Sequence, residues 1–122
     1  MPVGLRVYDR HGRVVLQDDP SDATHDADAA FVPGTHRLAI IRVHGLQSDV
    51  FTGRDGRLLF RGSGVFRQLA FSPSGRWLLV TWPTANQWVF VHGSAPHRIV
   101  GASRITAQFR GFPHVAGWCC GR

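Results

Sequence analysis

The side chains that could carry chemistry in this chain of 122 residues are serine, histidine, aspartate, cysteine and tryptophan, and their spacing argues against most reactions. Gly62-Ser63-Gly64 is the nearest approach to a nucleophile turn. It has neither the G-x-S-x-G pattern nor a following helix, so it reads as a flexible hairpin turn. Glutamate is absent and the last of the eight aspartates is Asp55, which leaves the Asp-rich segment as the source of any paired-carboxylate site. That segment, residues 18–28, carries Asp18, Asp19, Asp22, Asp26, Asp28 and His25. Its hard oxygens suit Ca2+, but it lacks the D-x-D-x-D-G spacing and bidentate acid of an EF-hand, and reads as a solvated loop between units. The seven histidines (11, 25, 36, 44, 92, 97, 114) contain no H-x-x-x-H pair. Cys119 and Cys120 are adjacent, so they are poorly placed to join His114 around tetrahedral zinc, and an adjacent disulfide would be strained. No C-x-x-C and no glycine-rich phosphate loop is present. The expectation is a chain with no catalytic set, no metal and no cofactor.

The charge pattern bears on partners. All 14 basic residues are arginine, lysine being absent, and the formal net charge is +6. Residues 1–55 carry six arginines and eight aspartates, for −2, whereas residues 56–122 carry eight arginines and no acid, for +8. A basic half invites nucleic acid, but these arginines are scattered singly and form no run, so a merely basic surface is the better reading. The N-terminal residues lack the apolar core of a signal peptide, and no window approaches 18 continuous apolar residues, so no membrane span is expected.

The elements that must position these groups are strands. Without lysine or glutamate, and with 14 glycines and 7 prolines, the chain is short of helix-surface residues and rich in turn formers. Residues 31–60 and 71–100 repeat at an offset of 40, matching Phe31/Phe71, Pro33/Pro73, Leu38/Leu78 and Gly53/Gly93. A second echo aligns residues 9–16 with 53–60 through Arg10/Arg54, Gly12/Gly56 and Arg13/Arg57. Phe112, Pro113, Gly117 and Trp118 read as a degraded copy of Phe71, Pro73, Gly75 and Trp77. Each repeat predicts four strands: 65–71, 77–82, 87–92 and 98–100 in the clearer copy, and 27–31, 37–43, 49–52 and 57–60 in the weaker one. Four strands in about forty residues is the period of a β-propeller blade; an antiparallel sandwich is the rival architecture. The expected fold is therefore all-β, a partial β-propeller of about three blades' worth of four-stranded antiparallel sheets. Residues 1–17 would end a blade, 27–60 and 65–101 would be blades, and 105–120 would start the next or supply a closing strand.

Phe71-Ser72-Pro73-Ser74-Gly75-Arg76-Trp77-Leu78-Leu79 resembles the F-S-P-D-G-(K/R)-x-(L/I) signature of TolB-like and WD-repeat-like propellers, with Ser74 where that family usually has Asp. The likeness extends over residues 31–120 and implies a binding platform, the C-terminal part of a larger uncharacterised bacterial propeller whose full-length relatives are expected in the cell envelope. Because such rings close with about four to eight blades, the chain needs more sheets, either from the rest of a longer propeller or from a homodimer closing a six-bladed ring. The expected function is non-catalytic binding of a protein or ligand through loops after each second strand, with His44 and Gln47 in one blade and Trp82, Asn86 and Trp88 in the next. The rival is a fragment of a propeller hydrolase or lyase whose catalytic residues lie outside this chain.

Overall fold

A computed structural model of the chain describes residues 4–17, 24–52, 56–92 and 98–118. The described residues form three antiparallel sheets. A two-stranded sheet joins β1 (Arg6–Tyr8) to β2 (Val14–Gln17). The first four-stranded sheet runs in order β3 (Thr24–Phe31), β4 (Leu38–His44), β5 (Gln47–Thr52), β6 (Arg57–Ser63). The second runs β7 (Gln68–Phe71), β8 (Trp77–Trp82), β9 (Gln87–His92), β10 (Arg98–Ser103), followed by a short helix α1 (Ile105–Phe109). Among the described residues no helix is long and apolar enough to cross a membrane.

The repeat is visible in strand register. Asp28, Ala29, Ala30 and Phe31 pair with Ile41, Ile40, Ala39 and Leu38; forty residues on, Gln68, Leu69, Ala70 and Phe71 pair with Thr81, Val80, Leu79 and Leu78. The offset then slips. Ile41 faces Val50 while Thr81 faces Trp88, because strands β4 and β5 stay paired as far as His44↔Gln47 across a two-residue link, whereas β8 and β9 part at Trp82↔Gln87, so the span between equivalent positions is two residues longer in the first sheet. The β1–β2 hairpin matches the outer pair β5–β6 down to its irregularity. Val15 is bulged between the pairs Val7↔Leu16 and Tyr8↔Val14, as Leu59 is between Val50↔Phe60 and Phe51↔Leu58. A bulge bends and twists a strand, so sharing one means sharing a shape.

The two large sheets enclose one core. Side chains alternate across a strand, and Ala39, Ile41, Val43 and Val50 from the first sheet meet Leu69, Leu78, Val80, Val89 and Val91 from the second, with Phe66 of the β6–β7 link among them. Strands β4 and β8 are apolar on both faces, and Leu38 and Ile40 are buried on the side turned away from this core. A close approach lies at Gly62, where a Cβ would lie 2.9 Å from the Trp82 ring. Trp82 lies edge-on to Phe60 and Phe66, with ring centroids 5.8 and 5.2 Å away, and its Nε1 donates to Ser63 O at 2.8 Å. Such aromatic pairs add about 0.5–1.5 kcal/mol each beyond the area they bury. Only glycine at 62 lets the indole lie flat on β6.

Several elements differ from the sequence reading. Strand β3 begins at Thr24 rather than 27, so Asp26 and Asp28 sit in a strand and not in a solvated loop. Asp26 is buried, held by the Arg42 guanidinium, which a cross-strand neighbour can supply and a lone sequence window does not reveal. Residues 18–23 of that segment lie outside the described residues, as do Cys119 and Cys120. Gly62 and Ser63 extend β6 rather than forming a turn, because Ser63 and Gly62 pair with Gln47 and Ser48 of a longer β5. Strand β7 starts at Gln68 instead of 65, and β10 runs on to Ser103 instead of stopping at 100. Residues 105–118 join neither large sheet; they form α1 and an extended segment laid against the second sheet.

Candidate functional site

Four connections meet at one end of the two sheets. The β4–β5 turn is the two-residue link Gly45-Leu46, and the β6–β7 link is laced to it: Gly64 N donates to Leu46 O at 2.6 Å, and the Ser48 hydroxyl donates to Gly64 O at 2.7 Å. The same hydroxyl accepts from Phe66 N at 3.1 Å, so a fully buried Ser48 is satisfied on both sides. The β8–β9 connection is a 3-10 turn, Pro83–Ala85, closed by Asn86 at φ 55°, and Thr84 Oγ1 accepts from Val65 N at 3.2 Å. Asn86 then fastens the fourth connection. Its Oδ1 accepts from Thr106 N and its Nδ2 donates to Thr106 Oγ1, both at 2.9 Å. Asparagine tolerates the left-handed backbone that the turn requires and carries both amide functions that the clamp uses. Leu46 is left at the tip, 87% exposed.

Of the residues expected to contact a partner, His44, Gln47, Trp82 and Asn86 reach this end, but with different duties, while Trp88 lies on the outward face of the second sheet. Trp82 is packed between the sheets and clamps β6 to β8 instead of offering a free face. Asn86 is spent on holding α1. His44 and Gln47 end their strands rather than riding a long loop, and both address Asp49. Gln47 Nε2 donates to Asp49 Oδ1 at 3.2 Å, and His44 Nε2 lies 3.7 Å from Oδ2. Arg61 completes the group with a fork, Nε to Oδ1 at 2.8 Å and Nη2 to Oδ2 at 3.2 Å. The Arg61 hydrogen bond outweighs desolvation and holds the Asp49 carboxyl below the usual carboxylate range. Asp49 is therefore a fixed anion, unsuited to proton transfer near neutral pH.

Asp49 belongs to a row. Asp26, Arg42, Asp49 and Arg61 are successive cross-strand partners on β3, β4, β5 and β6. Arg42 forks onto Asp26 at 2.7 and 3.2 Å and stacks 4.8 Å over the Phe51 ring. The signal in the sequence was weak, since four residues spread over positions 26–61 are neighbours only once the register is known.

Asp28 sits one step along β3, and its Oδ2 accepts from Leu69 N at 2.9 Å, which ties the first sheet to the inner strand of the second. Burial pushes its carboxyl above the ordinary value, against the lowering effect of that hydrogen bond. Gln68, forty residues on, makes the matching reach outward: Val115 N donates to Gln68 Oε1 at 2.8 Å and Gln68 Nε2 donates to Val115 O at 2.9 Å. His114 flanks both side chains, 3.4 Å from Gln68 Nε2.

Two concavities stand out among the described residues. One of about 320 Å3 lies at the opposite end, where Asp9–His11 in the β1–β2 turn meets Gly34–His36 in the β3–β4 turn over Phe31. The other, about 220 Å3 and almost wholly apolar, lies between Leu79, Trp88 and Phe90 of the second sheet and Val115, Gly117 and Trp118. Trp88 Nε1 is buried there and finds no acceptor among the described residues. No group of three metal-ligating side chains occurs among the described residues. No protein-family model matches the chain, and neither a curated protein nor a solved structure matches it.

Proposed function

We propose that this chain is part of a β-propeller and works as a non-catalytic binding module, contacting a protein or peptide partner through the end where the four connections meet. The observation that carries the reading is the pair of four-stranded sheets whose first and second strands keep the same register forty residues apart, stacked so that both second-to-third-strand turns emerge at one end. The resemblance of residues 71–79 to TolB-like and WD-repeat-like propellers supports it. So does the build of that end. The connections are cross-braced by Ser48, Thr84 and Asn86, which lowers the entropy lost on binding, while Leu46 projects as an apolar anchor beside the polar group of His44, Gln47 and Arg61.

Peptides selected by display against the intact chain test this. Their binding is expected to shift the amide resonances of Gly45, Leu46, Gly64 and Thr84, and Leu46→Asp is expected to weaken them about tenfold or more. Peptides that map instead to the cleft at Phe31 and His36, unaffected by Leu46→Asp, would place the working surface at the other end and overturn the assignment.

A further inference from the structure

We propose that the outward face of the second sheet docks the β1–β2 hairpin of a second copy of this chain, head to tail. This extends the repeat reading and does not depend on the loop end.

The inner face of the first sheet, which the second sheet covers, presents Asp28, Ala30, Ala39, Ile41 and Val50. The same positions one repeat later are Gln68, Ala70, Leu79, Thr81 and Trp88, and they form the outward face of the second sheet. That face is therefore the established sheet-on-sheet interface carried one step further. It is covered in part by this chain's own residues 112–118, which stand where the next inner strand would stand. Gln68 grips the Val115 backbone as Asp28 grips Leu69, and Trp118 Nε1 donates to Ala70 O at 2.8 Å. The outer part is left uncovered by the described residues. Among them, Val100 and Phe109 are each 50% exposed, the 220 Å3 apolar slot stays open, and the buried Trp88 Nε1 has no acceptor.

What would complete that layer is an outer strand pair, and the chain carries one at its other end. Hairpin β1–β2 matches β5–β6 in register and in its bulge. It is two-stranded, and a lone pair of strands is marginal in water. Its Val7–Leu16 face is half-buried, while Tyr8 (52% exposed) and Val14 (47% exposed) face outward. Val14 occupies the register position of Leu58, paired like it to the strand before, on the face turned toward a preceding sheet. Among the described residues, one end thus holds an inner segment with no outer pair beside it, and the other an outer pair with no inner strands beside it. Both ends carry arginine (Arg6, Arg10 and Arg13 against Arg98, Arg104 and Arg110), so the association is apolar and should tighten with salt.

Sedimentation of the full chain, with Val14→Arg and Val100→Arg variants, decides it. Both substitutions fall on exposed side chains, and circular dichroism verifies their folding. The wild type is expected to form a species of twice its 13.5 kDa mass. Each variant alone is expected to self-associate about tenfold or more weakly, and an equimolar mixture of the two to pair, since one keeps the hairpin and the other the sheet face. A ladder of larger wild-type species that the mixture cuts back to pairs also supports the proposal. A wild type that stays monomeric at every concentration overturns it, as does association that survives in both variants. Either result would leave the loop-end reading standing.

Discussion

One row of the repeat is built twice with opposite chemistry. In the first sheet it reads Asp26, Arg42, Asp49, Arg61 across the four strands; forty residues on, the positions of Asp26 and Arg42 hold Phe66 and Trp82, and Gln87 and Ser103 continue the row. The aromatic version faces another sheet and is a plug, with Phe66 fully buried and Trp82 lying on Gly62. The charged version lies on the side of the first sheet turned away from the core, where the Arg42 side chain is still 37% exposed and the Asp26 side chain only 1%. The backbone repeat sets where a row lies, and what covers the row decides which side chains suit it. A carboxylate with a guanidinium partner at a wet margin keeps its hydration on one side, whereas at the Trp82 position it would lose it on both.

Breaking the plug should have the largest effect. Trp82→Ala removes the indole from between Phe60, Phe66 and Gly62, and is expected to cost about 3–5 kcal/mol, read as a lower urea midpoint at unchanged slope. A loss below about 1 kcal/mol would mean that the sheets are not held at this point. The charged row should be weaker. Arg42→Met takes the fork from a carboxylate whose side chain is almost fully buried, and is expected to cost about 2–3 kcal/mol, under the range for a fully enclosed pair. Adding Asp26→Leu should recover most of that loss. If the double variant is no better than the single one, the row is more than an ion pair in a tolerant place.

The smallest effect separates Asp28 from its counterpart Gln68. Because burial raises the Asp28 carboxyl, the folded state keeps the proton to higher pH than the unfolded chain does. The stability linked to it is complete below the ordinary carboxylate value of about 4 and is lost as pH rises through the folded value. Asp28→Asn keeps an acceptor for Leu69 N and cannot ionise. Melting curves should show the variant equal to wild type near pH 3 and slightly more stable at pH 7. A variant less stable at pH 7 would show that the carboxylate charge, through its attraction to His114, holds the two sheets together.

Strands β8 and β9 were legible to the residue, because residues 77–82 are apolar on both faces and a Pro-containing turn separates them from 87–92. Strand β3 was legible only in its second half. Asp26 and Asp28 look like loop residues until Arg42 and the Leu69 N–H are supplied from 16 and 41 residues away. The candidate site shows the same limit. His44, Gln47, Trp82, Asn86 and Trp88 were picked for standing beside turns, and they do reach one end or the outward face. That Trp82 is a clamp, Asn86 a fastener and Trp88 a donor without an acceptor among the described residues depends on Ser63, Thr106 and the Val115–Trp118 side of the apolar slot, none of which is near in sequence.

The sequence by itself determined the period, the all-β character and the positions of most turns, since these follow from local alternation of apolar residues and from the backbone freedom of glycine, proline and asparagine. The tertiary structure alone decided which face of each sheet is covered, which charges are neighbours and where an indole can lie against a glycine. Those depend on cross-strand register and sheet stacking, where a slip of one residue turns every side chain to the opposite face.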